Sequence, residues 1–82
     1  MNLPTPDSIR DNIANTLKCD YITVTGDGQH FYATIVSDAF NHQRLIARHQ
    51  QVYAALGTRM KSEIHALSMN TYTPIEWEQR NG

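Results

Sequence analysis

A change of hydrophobic period near residue 20 constrains this chain more than any other feature. Ile9, Ile13 and Leu17 recur every four residues with Arg10, Asp11, Asn12 and Asn15 between them, which draws the single apolar stripe of an amphipathic helix. Asp7 and Ser8 supply a polar start, so the spacing predicts a helix over 7–18. The prolines of Met1-Asn2-Leu3-Pro4-Thr5-Pro6 favour extended backbone and predict a lead-in before it. Then the period falls to two. Tyr21-Ile22-Thr23-Val24-Thr25 and His30-Phe31-Tyr32-Ala33-Thr34-Ile35-Val36 are runs of strand formers on either side of Gly26-Asp27-Gly28. Asp27-Gly28 can supply the positive φ of a tight turn, so a hairpin is the simplest arrangement.

Ser37-Asp38 ends the second strand and can cap the next element. Over 43–56, Leu45, Ile46, Val52, Tyr53 and Leu56 repeat at helical spacings, with Arg44, Arg48, Gln50 and Gln51 off the stripe. This predicts the main helix, stopped by Gly57. A short helical turn is expected over 58–61, with Met60 reaching back to the core. Residues 64–72 read as a last strand that Pro74 closes, and Pro74-Ile75-Glu76-Trp77 as one terminal helical turn whose Trp packs on the sheet. The predicted fold is an αββααβ α+β two-layer sandwich, with helices on one face of a three-stranded mixed sheet. A helix joins the second and third strands, so as neighbours they run parallel through a right-handed crossover. The domain is expected over 7–78, with 1–6 a lead-in and 79–82 a tail.

A chain of 82 residues, 40% of them hydrophobic, accommodates one small domain with a modest core. A net charge of -1 excludes whole-molecule attraction to nucleic acid or anionic membrane and leaves only local binding. The longest apolar run, Val52 to Leu56, is too short to span a bilayer or to form a signal-peptide core. A soluble, cytoplasmic protein is expected. The lone cysteine, Cys19, cannot form an internal disulfide, and no CxxC pair offers a zinc or dithiol site. Nucleophile elbow, phosphate loop and HExxH are all missing, and Asp38 and His42 lack the nucleophile or oxyanion donor that would make them an acid-base pair. No enzymatic activity is expected.

Chemistry is left to the histidines and to one basic stretch. Cys19 sits between Lys18 and Asp20, remote in sequence from any histidine, and reads as a structural thiol. His30 stands where the turn hands over to the second strand, and His65 opens the third strand. Parallel strands bring those two starts to one end of the sheet, where two imidazoles would form an open half-site for iron or zinc. Ordinary strand-end histidines would show the same spacing, so spacing alone does not decide. His49 reads as a half-buried helix histidine and His42 as a solvated one. From His42 to Lys61 the chain carries Arg44, Arg48, Arg59 and Lys61 and no acid, a local patch able to meet phosphate weakly or to face an acidic protein.

The blocks Asp27-Gly28-Gln29-His30-Phe31, Val36-Ser37-Asp38-Ala39-Phe40, Arg48-His49-Gln50-Gln51-Val52-Tyr53, Ile64-His65-Ala66-Leu67-Ser68-Met69 and Tyr72-Thr73-Pro74-Ile75-Glu76-Trp77 resemble the BolA family, and most closely its small IbaG-like bacterial branch. They run in family order from about Ile9 to Trp77, and the most specific are His65-Ala66-Leu67 and Thr73-Pro74 with Glu76-Trp77. The resemblance implies a fold like class II KH domains. It also implies partnership with a monothiol glutaredoxin, as a heterodimer bridged by a [2Fe-2S] cluster. The histidine before Ala-Leu, here His65, is then the expected ligand. The loop between the first two strands supplies a second, and His30 matches its histidine version. Two departures stand out: Asn41-His42 replaces a glycine common in the family, and Gly57-Thr58-Arg59-Met60 lacks the second glycine of a KH phosphate clamp. Some relatives are credited with DNA binding, so a transcriptional regulator using Arg44, Arg48, Arg59 and Lys61 is the alternative expectation.

Overall fold

The computed structural model describes residues 5–63 and 66–81, of which 58–63 and 81 are described by their backbone alone. Helix α1 (Pro6–Thr16) opens on a reciprocal cap. The Thr5 hydroxyl accepts the Ser8 N–H at 3.1 Å while the Ser8 hydroxyl accepts the Thr5 N–H at 2.9 Å. Pro6 therefore belongs to the helix and not to the lead-in, because the first helical position has no N–H partner to lose and proline's fixed φ suits it. Leu17 turns to extended backbone (φ -105°, ψ 131°) and ends α1 ahead of Lys18.

Strands β1 (Cys19–Gly26) and β2 (His30–Ser37) form the expected antiparallel hairpin, and β3 (Ala66–Tyr72) runs parallel beside β2. Alternation sorts the sheet into two faces. One carries Ile22, Val24, Phe31, Ala33, Ile35, Leu67 and Met69, on which Ile9 and Ile13 of α1 pack with Val52 and Leu56 of α2 (Leu45–Glu63). Each large side chain fully buried there contributes on the order of 1.5–3 kcal/mol. A 3-10 turn over Asp38–Phe40 drops Phe40 into the same core. Ser37 starts it as expected: its hydroxyl accepts the Ala39 N–H at 3.1 Å and donates to the Lys18 carbonyl at 2.7 Å.

Gly57 breaks α2 with φ 79° and ψ 164°, and helical backbone resumes after it, as the sequence predicts. The expected reach of Met60 to the core, and Ile64 at the predicted strand start, lie outside the described side chains and residues. The buried face of α2 differs from the predicted stripe. Leu45 and Ile46 are 63% and 69% exposed, Tyr53 is also exposed, and Arg48 is only 8% exposed. Polar partners wait for Arg48 at the end of the sheet, so a guanidinium takes the place that apolar spacing assigns to leucine or isoleucine.

Helix α3 (Pro74–Asn81) is longer than the single turn predicted. Thr73 and Glu76 cap it reciprocally, with Glu76 Oε1 accepting the Thr73 N–H at 2.9 Å and Thr73 Oγ1 accepting the Glu76 N–H at 3.1 Å. Trp77 packs on the sheet as expected. It stacks on Tyr21 with centroids 5.0 Å apart and lies tilted on Tyr72 at 5.3 Å. Those tyrosines flank Val36 in the register, on the face away from α1 and α2, which accounts for the burial of Val36 outside the main core. The one-face arrangement thus describes α1 and α2, while α3 closes one end of the second face. Among the described residues no helix is long and apolar enough to cross a membrane.

Candidate functional site

The β1-β2 turn is a tight mount for His30. Its carboxylate-bearing member, Asp27, accepts the N–H groups of Gln29 and His30 on Oδ1 at 2.9 Å each, and the Asp27 N–H donates to the His30 carbonyl at 3.2 Å. Those backbone donors hold the Asp27 carboxyl below its ordinary range. Gly28 turns the chain with φ 99°. At Gly26 even a methyl group would run into the His30 carbonyl and the Phe31 ring, so the loop is wrapped closely around the start of β2. Phe31 is buried in the core, and His30 itself is exposed.

In the parallel ladder His30 stands opposite Ala66, the residue after His65 in the chain. His65 itself lies outside the described residues. The backbone brings the start of β2 and the start of β3 to one end of the sheet, as the element order predicts. Among the described residues no three His, Cys, Asp or Glu side chains gather as a metal-holding group. Among the described residues, this edge offers one exposed imidazole on a fixed loop beside the entry to β3.

The other candidates are distributed elsewhere. Cys19 pairs with Ser37 at the opposite end of the hairpin, about 20 Å of strand away from His30. It is half-buried, with its Sγ at 3.4 Å from the Leu17 carbonyl, and burial together with the Asp20 charge raises its pKa from 9.0. His42 is exposed with φ 64°, and His49 is half-buried on α2. Arg44 is exposed. Arg48 leaves the basic patch altogether, because its guanidinium is spent on Glu76 at 2.7 and 3.1 Å, on the Thr71 carbonyl at 3.2 Å and on the Gln43 carbonyl at 2.8 Å. The side chains of Arg59 and Lys61 lie outside the described part of the structure.

Two residues gain a role that periodicity does not assign. Glu76 was legible as the last member of Thr73-Pro74-Ile75-Glu76, a capping-box pattern. Asp27 shows in sequence only as a turn former; its hold on His30 needs the loop geometry.

The family described as BolA-like protein matches residues 8–76. The DNA-binding transcriptional regulator BolA of Escherichia coli (strain K12) is 40% identical over 53 residues, covering 65% of this chain and 50% of that protein. The acid stress protein IbaG of the same strain is 34% identical over 70 residues, covering 84% and 83%. The crystal structure of a Bol-like protein from Babesia bovis superposes with a TM-score of 0.86 at 29% identity, over 99% of this chain and 98% of that one. The chain spans about half the length of the regulator relatives it matches.

Proposed function

This chain belongs to the BolA-like family, and from that membership together with the His30 edge we propose that it is a non-enzymatic partner of a monothiol glutaredoxin. The shared cargo is a [2Fe-2S] cluster, in iron-sulfur cluster assembly and transfer or in iron homeostasis. His65 and His30 give imidazole, and the partner with glutathione gives sulfur. The observation that supports this reading most is the register: the exposed His30 lies abreast of Ala66, next in sequence to the histidine of the His65-Ala66-Leu67 run.

The residues present suit such a group. Neutral imidazole is an established iron ligand, and in place of thiolate it lowers the negative charge on a cluster and raises its potential. Imidazole ligation also responds to proton concentration near neutral pH. His30 can present its ring to another protein because it is exposed at the rim of the sheet. The test is to load a monothiol glutaredoxin with the cluster and add this protein. A changed visible and circular-dichroism spectrum, reduced or abolished with His65→Ala, is the expected result. A spectrum unaffected by the wild-type protein sinks the reading.

The name of the Escherichia coli regulator keeps a second reading in view. In that reading the chain binds DNA through Arg44, Arg59 and Lys61, without Arg48, whose guanidinium is engaged within the fold. Titration onto duplex DNA at two salt concentrations tests it. Binding that ignores both salt and Arg44→Ala argues against the patch.

A further inference from the structure

We propose that Asp27 is the positioning residue for His30, fixing where the imidazole is offered to a shared metal centre. The inference rests on the reading of His30 as a ligand and adds to it the group that makes the ligand usable.

Both backbone groups of His30 are tied to this one residue. The Asp27 carboxylate receives the His30 N–H at 2.9 Å, and the Asp27 N–H reaches the His30 carbonyl at 3.2 Å. The same Oδ1 takes the Gln29 N–H at 2.9 Å, so the residue before His30 is held as well. On the other side the chain is anchored by Phe31, which is 1% exposed. The α-carbon of His30 therefore stands between a core anchor and a charge-assisted clamp. An exposed ring on a hairpin tip has no packing of its own to orient it, and a ligand must be held to within about 0.5 Å of its productive place. Hydrogen bonds to a carboxylate are the stronger kind, and here they fix the backbone from which the ring projects.

Asp27 is itself exposed, and its contacts stay within the loop, so its removal leaves the core cluster intact. That separates positioning from overall folding. Asparagine keeps an oxygen at the Oδ1 place and removes the charge. Alanine removes the acceptor, and glutamate keeps the charge but carries it one methylene too far for the same turn.

The experiment compares the wild-type protein with Asp27→Asn, Asp27→Ala and Asp27→Glu. Amide exchange by NMR on the isolated protein reads the clamp. The circular-dichroism spectrum after mixing with cluster-loaded monothiol glutaredoxin reads the ligand. For Asp27→Ala and Asp27→Glu, exchange at Gln29 and His30 is expected to be roughly tenfold faster, with a cluster spectrum displaced toward that of His30→Ala. Asp27→Asn, which keeps the acceptor and loses the charge, is expected to fall between the wild type and Asp27→Ala in both. If the wild-type protein alters the cluster spectrum and Asp27→Ala and Asp27→Glu reproduce that spectrum, the positioning role is overturned while the ligand reading stands. If the wild-type protein leaves the spectrum unchanged, the ligand reading itself falls, and exchange at the two amides still reports whether the clamp exists.

Discussion

The guanidinium of Arg48, in the first half of α2, grips both carboxylate oxygens of Glu76, in the first turn of α3, at 2.7 and 3.1 Å. The same guanidinium donates to the Thr71 carbonyl at the end of β3, and the same carboxylate accepts the Thr73 N–H that caps α3. One ion pair thus joins the main helix, the edge strand and the terminal helix. It holds Trp77 over Tyr21 and Tyr72, and it withdraws Arg48 from any role on phosphate.

Removing the acid should cost more than removing an ordinary surface charge. Glu76→Ala leaves a buried guanidinium with half its partners and removes one arm of the reciprocal cap of α3. The carboxylate side is 45% exposed, so the expected loss is about 1–2 kcal/mol rather than the larger cost of breaking a fully buried pair. Arg48→Lys should also destabilise, because an ammonium cannot reproduce the two-pronged contact. Urea denaturation checks both. Trp77, the only tryptophan in the chain, reports α3 by its fluorescence.

Acid should loosen α3 in a defined window. Hydrogen bonds from Arg48 and from the Thr73 backbone lower the Glu76 pKa from 4.5 to about 2. A folded-state value below the unfolded one means the stabilisation is complete above about pH 5 and is lost as pH falls toward about 2. Wild-type urea midpoints should drop through that window. Glu76→Gln should start lower at neutral pH and drop less, and an equal drop in both proteins would place the acid sensitivity elsewhere.

His42 holds a backbone conformation that suits glycine, with φ 64°. His42→Gly is expected to raise stability by roughly 0.5–1 kcal/mol, because it relieves a left-handed side-chain residue at some cost in chain entropy. His42→Ala keeps the strain and should give no gain. Thermal melts of the two variants decide whether the family's glycine position is a backbone requirement here.

Cys19 should be a slow nucleophile. Burial and the neighbouring Asp20 raise its pKa above 9.0, so the thiol is protonated at neutral pH. Labelling with a thiol-disulfide reagent is expected to be slow in the native protein and fast in denaturant. Fast native labelling would show that the β1 entry opens.

Local spacing was enough to read the first helix, the hairpin and the main helix, because Ile9 and Ile13, Phe31 and Ile35, and Val52 and Leu56 obey it. The helix joining the second and third strands implied their parallel pairing. Local spacing failed at the first turn of α2. Spacing puts Leu45 and Ile46 inward, and it cannot see that Thr71 and Glu76 will offer Arg48 an oxygen-lined seat 23 and 28 residues further on. The length of α3 was hidden in a similar way, since its stability comes from tyrosines on two separate strands. For the site, strand order alone brought His30 to the entry of β3. That this edge is worth testing as a ligand pair came from the family blocks around His30 and His65, because imidazole at a strand end carries no signature of its own.

Histidine ligation of a shared cluster is read most directly by pulsed electron paramagnetic resonance on the reduced cluster in the complex. The protein is made with nitrogen-15 histidine and mixed with unlabelled, cluster-loaded monothiol glutaredoxin, so any nitrogen-15 coupling comes from this chain. That coupling is expected in the wild-type complex, weakened in His30→Ala, and lost when His65→Ala is added. A reduced cluster with no nitrogen-15 coupling, or one whose coupling survives both substitutions, would contradict ligation by these two residues.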